Sequence, residues 1–140
     1  MRMKHRSLLA ILLLNIITFG IYQIYWYFIT KTEMNTLNKR DLKVPFFLWF
    51  FIPLVNIWWF WRFAKAIEAT TKGLIGRWAA FLAPFVIALA VSIFLGLTPP
   101  YSIVTFGLNN THMWLQLIFV NILILLPIFY YQSNLNKVAR

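Results

Sequence analysis

Four hydrophobic stretches, separated by short polar segments, organise this chain of 140 residues. The first runs from Ser7 to Thr30, the second from Val44 to Trp61, the third from about Trp78 to Leu97, and the fourth from about Met113 to Tyr131. An α-helix rises ~1.5 Å per residue, so the last two stretches can each reach ~28–30 Å and span the hydrocarbon of a membrane. The pattern predicts one all-helical integral membrane domain over residues 1–140.

Each of the first two stretches is interrupted near its middle. Gly20 frees the backbone for a turn in the first stretch, and the hydroxyl of Thr18 can satisfy a freed backbone group. Pro53 removes a backbone donor from the second stretch, and Asn56 follows three residues later. These two stretches are therefore either kinked spanning helices or re-entrant hairpins that return to the face where they began, and both alternatives stay open.

The basic residues predict the orientation in the membrane. The chain has 13 Lys and Arg against 3 acids, and none of these charged residues lies between positions 78 and 136. With the N-terminus inside, four spans would place nine bases inside and four outside, whereas two hairpins and two spans would place all thirteen inside. Both alternatives predict a multi-pass protein of the cell (inner or plasma) membrane with both termini in the cytoplasm.

Composition limits the chemistry. The chain is 61% hydrophobic and 11% charged, which excludes an ordinary soluble domain. The bases flank apolar stretches, so we expect anionic lipid headgroups as partners rather than nucleic acid. Cysteine is absent, the two histidines (His5 and His112) are too few for a metal site, and the acids Glu33, Asp41 and Glu68 lie in charged surface stretches. We therefore expect no enzyme activity, metal or cofactor.

A short motif gives a family resemblance. The residues from Thr18 to Trp26 follow the pattern T-x-G-I-Y-x-x-Y-W, which includes Tyr22 and Tyr25, and a basic polar helix follows. This motif resembles that of a family of small prokaryotic membrane proteins catalogued as a domain of unknown function, and more loosely that of YjgN-like inner-membrane proteins. The similarity covers about Ser7 to Arg40. It implies a bacterial or archaeal cell membrane and no catalytic residue, ligand or partner.

Two polar stretches follow the first two apolar ones. The stripe Tyr27, Thr30, Met34 and Leu37 has helical spacing and predicts an amphipathic surface helix that ends near Arg40. A second set mixes tryptophan with bases, and it predicts a surface on the inner face that meets lipid or a partner. Its members are Trp58, Trp59, Trp61, Arg62, Lys65 and Lys72. The alternative is the ordinary cytoplasmic end of a membrane helix.

Two further sets lie within the apolar stretches. Asn15, Gln116 and Asn121 are polar residues at membrane depth, which mark either a substrate path or hydrogen bonds between helices. Small residues recur every four or eight positions in the third stretch, where they let another helix approach closely. They are Ala80, Ala88, Ser92 and Gly96.

The leading function hypothesis is a non-enzymatic scaffold or accessory subunit that packs with itself or with a larger membrane complex. One alternative is a small pore or permease for a small or amphipathic solute, which needs Asn15, Asn56, Gln116 and Asn121 to converge on a wet cavity. A second alternative is a lipid-perturbing protein of the holin or immunity type, suggested by the net charge of +10 and the seven tryptophans.

Overall fold

The first hydrophobic stretch folds into two helices joined by a tight turn. The computed structural model of the protein describes residues 3–97 and 111–139, and it begins with helices α1 (Leu8–Ile17) and α2 (Ile21–Leu37). Phe19 and Gly20 both have positive φ, at 50° and 92°. The Gly20 N–H donates to the Asn15 carbonyl at 2.9 Å, and the Phe19 N–H donates to the Ile16 carbonyl at 3.2 Å. Helices often end at a left-handed residue of this kind, and the two hydrogen bonds satisfy carbonyl groups in the last turn of α1.

The two helices form a hairpin. Arg6, just before α1, makes an ion pair with Glu33 on α2, and the backbone N–H of Lys4 donates to the same carboxylate at 3.3 Å. Gly20 lies between Arg6 and Glu33 along the chain, so the chain runs away from this ion pair in α1 and returns to it in α2. We call the end of the protein that holds this pair the charged end. Arg6 and Glu33 are largely buried, with side chains 14% and 6% exposed.

The second stretch turns back on itself as well. Residues Phe47–Phe51 form a 3₁₀ turn, the chain bends at Pro53 and Leu54, and helix α3 then covers Val55–Thr70. The guanidinium of Arg62 on α3 donates to the carbonyl of Lys43 at 2.8 Å, which joins the two limbs. The predicted segment over about 44–61 therefore divides at Pro53, where its break was predicted, into the 3₁₀ turn and the first part of α3. A proline disfavours helical backbone in the residue before it, so the helix begins only beyond Pro53 and continues nine residues past Trp61.

Two long apolar helices complete the fold. Helix α4 covers Arg77–Leu97 and helix α5 covers Thr111–Val138, so the fourth stretch extends seven residues beyond its predicted end at Tyr131. Within the described residues, 77–96 and 114–138 are long and apolar enough to cross a membrane, with mean hydropathies of 2.4 and 1.9. Only 11% and 22% of these two windows are buried, whereas a core helix of a soluble protein is mostly buried. All elements of the described chain are helical, so the predicted all-helical class is confirmed.

A proline and a tyrosine fix α4 against α5. Pro84 lies inside α4 and has no N–H, so the carbonyl of Ala80 loses its helical partner. The hydroxyl of Tyr131 on α5 donates to that carbonyl at 2.6 Å. Further along, the rings of Phe94 and Phe119 lie 4.9 Å apart, so the two helices run antiparallel.

Aromatic side chains from α2, α3 and α5 form the core. Trp26 stacks on Tyr131 at 6.2 Å, and Tyr27 contacts Trp59 at 6.3 Å and Phe63 at 5.3 Å. Trp26, Trp59 and Tyr131 have no exposed surface at all. The predicted amphipathic surface helix is therefore wrong in two respects. It is the second half of α2, which ends at Leu37, and three of the four stripe residues (Tyr27, Thr30 and Met34) are buried, whereas Leu37 is 44% exposed.

Candidate functional site

The tryptophans and bases of α3 divide between its two faces. Trp58 and Trp59 are neighbours along the helix, and successive residues point about 100° apart. Trp58 is 50% exposed and Trp59 is fully buried, because Trp59 faces the aromatic core. The prediction that Trp59 faces lipid or a partner is therefore wrong. Trp61 and Lys65 follow at the spacing that keeps them on the outer side with Trp58.

We call Trp58, Trp61, Lys65, Arg77 and Trp78 the basic aromatic surface. Trp61 is central to it: the Lys65 ammonium lies 5.6 Å from its ring and the Arg77 guanidinium 5.7 Å. The rings of Trp61 and Trp78 are 5.0 Å apart. A cation over an aromatic face is attracted to the electron-rich ring, so these two contacts stabilise the positions of the Trp61 ring and of both bases.

Glu68 neutralises part of the positive charge of this surface. The Glu68 carboxylate accepts from Arg77 at 2.8 Å, and this hydrogen bond lowers the pKa of Glu68 below its usual range. Arg62, predicted to face lipid or a partner, is half-buried and donates to the Lys43 carbonyl. Lys72 is exposed in the turn after α3, where Gly73 has a φ of 84° and its N–H donates to the Glu68 carbonyl at 2.9 Å. Lys65 is half-buried, so Lys72 is the more exposed of these two bases.

The residues predicted to form the turns have distinct positions. The Thr18 hydroxyl donates to the Leu14 carbonyl at 2.8 Å and accepts from the Tyr22 N–H at 3.0 Å, so it bridges the end of α1 and the start of α2. Tyr25 is 51% exposed beside Tyr22, at 5.8 Å between the ring centres. In the second hairpin, Pro53 starts the bend and the Asn56 amide donates to the Phe50 carbonyl at 2.9 Å.

Trp26, the last residue of the motif, belongs to a polar network that the sequence did not indicate. Its indole N–H donates to Gln132 at 2.8 Å, and the Gln132 amide donates to Asn136 at 2.7 Å. The Asn136 amide donates in turn to the carbonyl of Arg6 at 2.8 Å. Only the polar run at the end of α5 could have pointed to this network, because its partners are 106 and 130 residues away along the chain.

Two of the polar residues at membrane depth meet. The Asn15 amide donates to the Asn121 side-chain oxygen at 3.4 Å, and Asn15 is fully buried. Gly20 lies against the same oxygen, since a Cβ added to it would be 3.1 Å away. Gln116 lies more than a helical turn away on α5 and is half-buried. The tip of the first hairpin is therefore pinned to the middle of α5 by an asparagine pair.

The small residues of α4 do not share one environment. Ala80 is buried where Tyr131 approaches its carbonyl, whereas Ala88, Ser92 and Gly96 are exposed. Ala88 and Ser92 lie on the wall of a cavity of about 530 Å³ between the hairpins and the two long helices. The structure thus places one residue of this set at an internal contact and leaves the other three open.

The described residues hold no group of three or more His, Asp or Glu side chains that could bind a metal ion. Two of the three acids are in ion pairs, Glu33 with Arg6 and Glu68 with Arg77. Asp41 is exposed on a short 3₁₀ turn (Arg40–Leu42). The described residues therefore offer two candidate sites, the basic aromatic surface and the cavity between the hairpins and the long helices.

These features define an all-helical protein with two candidate membrane spans and two hairpins. Residues 6–69 match the model of a family described as a domain of unknown function, DUF4234. The predicted resemblance to a family of unknown function is thereby confirmed, and the match covers both hairpins but neither long helix. No curated protein and no solved structure matches the chain.

Proposed function

We propose that this chain is a non-enzymatic scaffold or accessory subunit of the cell membrane. It packs with a larger membrane complex or with a second copy, and it presents the basic aromatic surface to anionic lipid or to that partner. The single observation that supports the arrangement best is the ion pair between Arg6 and Glu33, on the two sides of the Gly20 turn. Because the residues before α1 and the second half of α2 meet at this ion pair, the first stretch forms a hairpin.

The depth of the hairpin supports its partial insertion into the membrane. Its tip lies against Asn121, and its base lies against Asn136. The 15 residues of α5 between these positions measure ~22 Å, whereas all 28 residues of that helix measure ~42 Å. The hairpins therefore enter from the basic side and stop partway, while α4 and α5 cross. Both termini lie in the cytoplasm, and all thirteen bases of the sequence lie on the inner side.

The composition of the basic aromatic surface suits the membrane boundary. Trp58 and Trp78 are 50% and 65% exposed, and tryptophan favours the headgroup region. Lys65 on this surface and Lys72 in the turn after α3 add positive charge, which attracts anionic lipid by about 1 kcal/mol per base. The ion pairing of Glu33 and Glu68 supports the non-enzymatic part of the proposal, because general acid–base catalysis needs a titratable group free to exchange protons.

Cysteine labelling tests the topology. The chain has no cysteine, so Thr36→Cys, Lys137→Cys and Asn109→Cys can each be labelled without background. Thr36 and Lys137 are exposed in the structure, and Asn109 lies between the two spans of the proposal. An impermeant thiol reagent on intact cells should label Asn109→Cys alone, and all three after permeabilisation. Labelling of Thr36→Cys at the rate of Asn109→Cys in intact cells would contradict the hairpin.

Photo-crosslinking tests the scaffold role. A photoreactive residue at position 58 lies on the basic aromatic surface, and one at position 89 is a matched control, since Leu89 is 62% exposed on the apolar flank of α4. We expect adducts with protein at position 58 and with lipid alone at position 89. Lipid adducts alone at both positions would reject the scaffold in favour of a lipid-binding surface. Adducts at neither position would reject both.

A further inference from the structure

A cavity of about 530 Å³ lies between the tips of the two hairpins and the middle of α4 and α5. Tyr27 and Gln23 line it from α2, Phe50 and Phe60 line it from the second hairpin, and Ala88 and Ser92 line it from α4. Small-molecule sites in proteins are mostly apolar, carry a few polar groups and measure about 300–1,000 Å³. This cavity has both the size and the lining of such a site.

The wall of the cavity carries a polar group that has no protein partner. Tyr27 lines the cavity and is only 7% exposed, and its hydroxyl makes no hydrogen bond with any residue that the structure describes. The side-chain amide of Gln23 also lacks a partner among the described residues, whereas the Ser92 hydroxyl donates to the Ala88 carbonyl at 2.9 Å. Tyr27 and Gln23 therefore remain available to a molecule in the cavity.

The lining also limits the charge and shape of that molecule. Among the described residues that line the cavity there is no Lys, Arg, Asp or Glu, so an ion would lose its hydration without gaining a counter-charge from them. Three aromatic rings, those of Tyr27, Phe50 and Phe60, lie within 5.7 Å of one another. Aromatic walls favour a planar ring through stacked or edge-to-face contacts.

We propose that this cavity binds an uncharged, membrane-dissolved molecule with a planar ring and a hydrogen-bonding oxygen, the chemical class of the quinones. The Tyr27 hydroxyl donates to the oxygen, and Phe50 and Phe60 contact the ring. A bare acyl chain fits less well, because it leaves the hydroxyl of Tyr27 unpaired. The proposal goes beyond the scaffold role and does not depend on it.

Binding of decylubiquinone to the purified full chain in detergent tests the proposal, by thermal shift and native mass spectrometry. Tyr27→Phe keeps the ring and removes only the hydroxyl, and it should weaken binding about three- to tenfold, the worth of one hydrogen bond. Ala88→Trp fills the cavity and should weaken binding more than about thirtyfold, a drop larger than one hydrogen bond explains. Ala90→Trp is the matched control, because Ala90 is exposed on the same helix but does not line the cavity.

Three outcomes would overturn the proposal. They are absence of decylubiquinone binding, unchanged affinity in Tyr27→Phe, and equal competition by decan-1-ol, which has the tail without the ring. Equal competition would mean that the cavity accepts an alkyl chain with a hydroxyl and does not select the planar ring. The melting temperature of each ligand-free variant shows whether it folds, and Tyr27→Phe still decides the outcome if Ala88→Trp does not fold.

Discussion

Replacement of Gly20 by alanine tests the hairpin turn at its most constrained residue. Gly20 has a φ of 92°, and a Cβ there would lie 3.1 Å from the side-chain oxygen of Asn121. Two costs therefore add: the left-handed backbone and the displacement of the asparagine. Substitutions at two other glycines allow the two costs to be measured separately. Gly73 has a φ of 84° and open space around it, whereas Gly96 lies in α4 with open space and no positive φ.

The magnitudes follow from this geometry. Gly73→Ala should cost about 1–2 kcal/mol of unfolding free energy, which is the cost of a left-handed conformation for a residue with a Cβ. Gly20→Ala should cost that amount plus about 0.5–1.5 kcal/mol, because the Asn15–Asn121 hydrogen bond must lengthen or break. Gly96→Ala should be neutral or stabilising by up to about 1 kcal/mol, since alanine favours a helix.

Reversible unfolding of the purified protein in mixed micelles measures these differences. In an Asn121→Ala background, Gly20→Ala should cost no more than Gly73→Ala, because the clashing oxygen is gone. Equal stability of the Gly20→Ala and Gly96→Ala proteins would refute the reasoning, since Gly20 would then behave as an ordinary helical glycine. An unchanged cost of Gly20→Ala in the Asn121→Ala background would reject the contact but keep the turn.

Two further substitutions test contacts outside the turn. Tyr131→Phe removes the donor to the Ala80 carbonyl and should lower the unfolding free energy by about 1–3 kcal/mol, whereas Tyr130→Phe, at an exposed position, should leave it unchanged in the same assay. The Arg77 hydrogen bond lowers the pKa of Glu68 below 4.5, so its stabilisation is complete above pH 4.5 and is lost as the pH falls through the lowered value. Glu68→Gln should reduce the loss of stability on acidification, and an identical pH profile would contradict the contact.

Periodicity and length predicted most of the fold. The third stretch was placed within one residue of α4, and the break at Gly20 lies between α1 and α2. These features depend on local chemistry, since helix length follows the apolar run and a glycine marks the positive φ. The second hairpin was less accessible, because a proline indicates a break but does not say whether a helix precedes it.

The candidate site was harder to predict, because residue type alone does not say whether a side chain is exposed or buried. Trp58 and Trp59 look alike in the sequence, and only the position of the aromatic core decides which of them is exposed. Tyr27 was assigned to an amphipathic surface stripe, yet Trp59 and Phe63 of α3 pack against its ring. The exposed surface of a membrane helix is apolar as well, so hydrophobicity does not separate the face that meets lipid from the face that meets protein.

The segment that matches the family model makes hydrogen bonds with a helix outside it. Residues 6–69 contain the motif, and three polar groups of this segment have their partners on α5. Asn15 pairs with Asn121, Trp26 with Gln132, and the backbone of Arg6 with Asn136. Because a buried polar group needs a hydrogen-bond partner, the first hairpin depends on α5 for these three contacts. The matched segment therefore supplies the hairpins and the following helices supply their support, so α5 is as much a part of the site as the motif is.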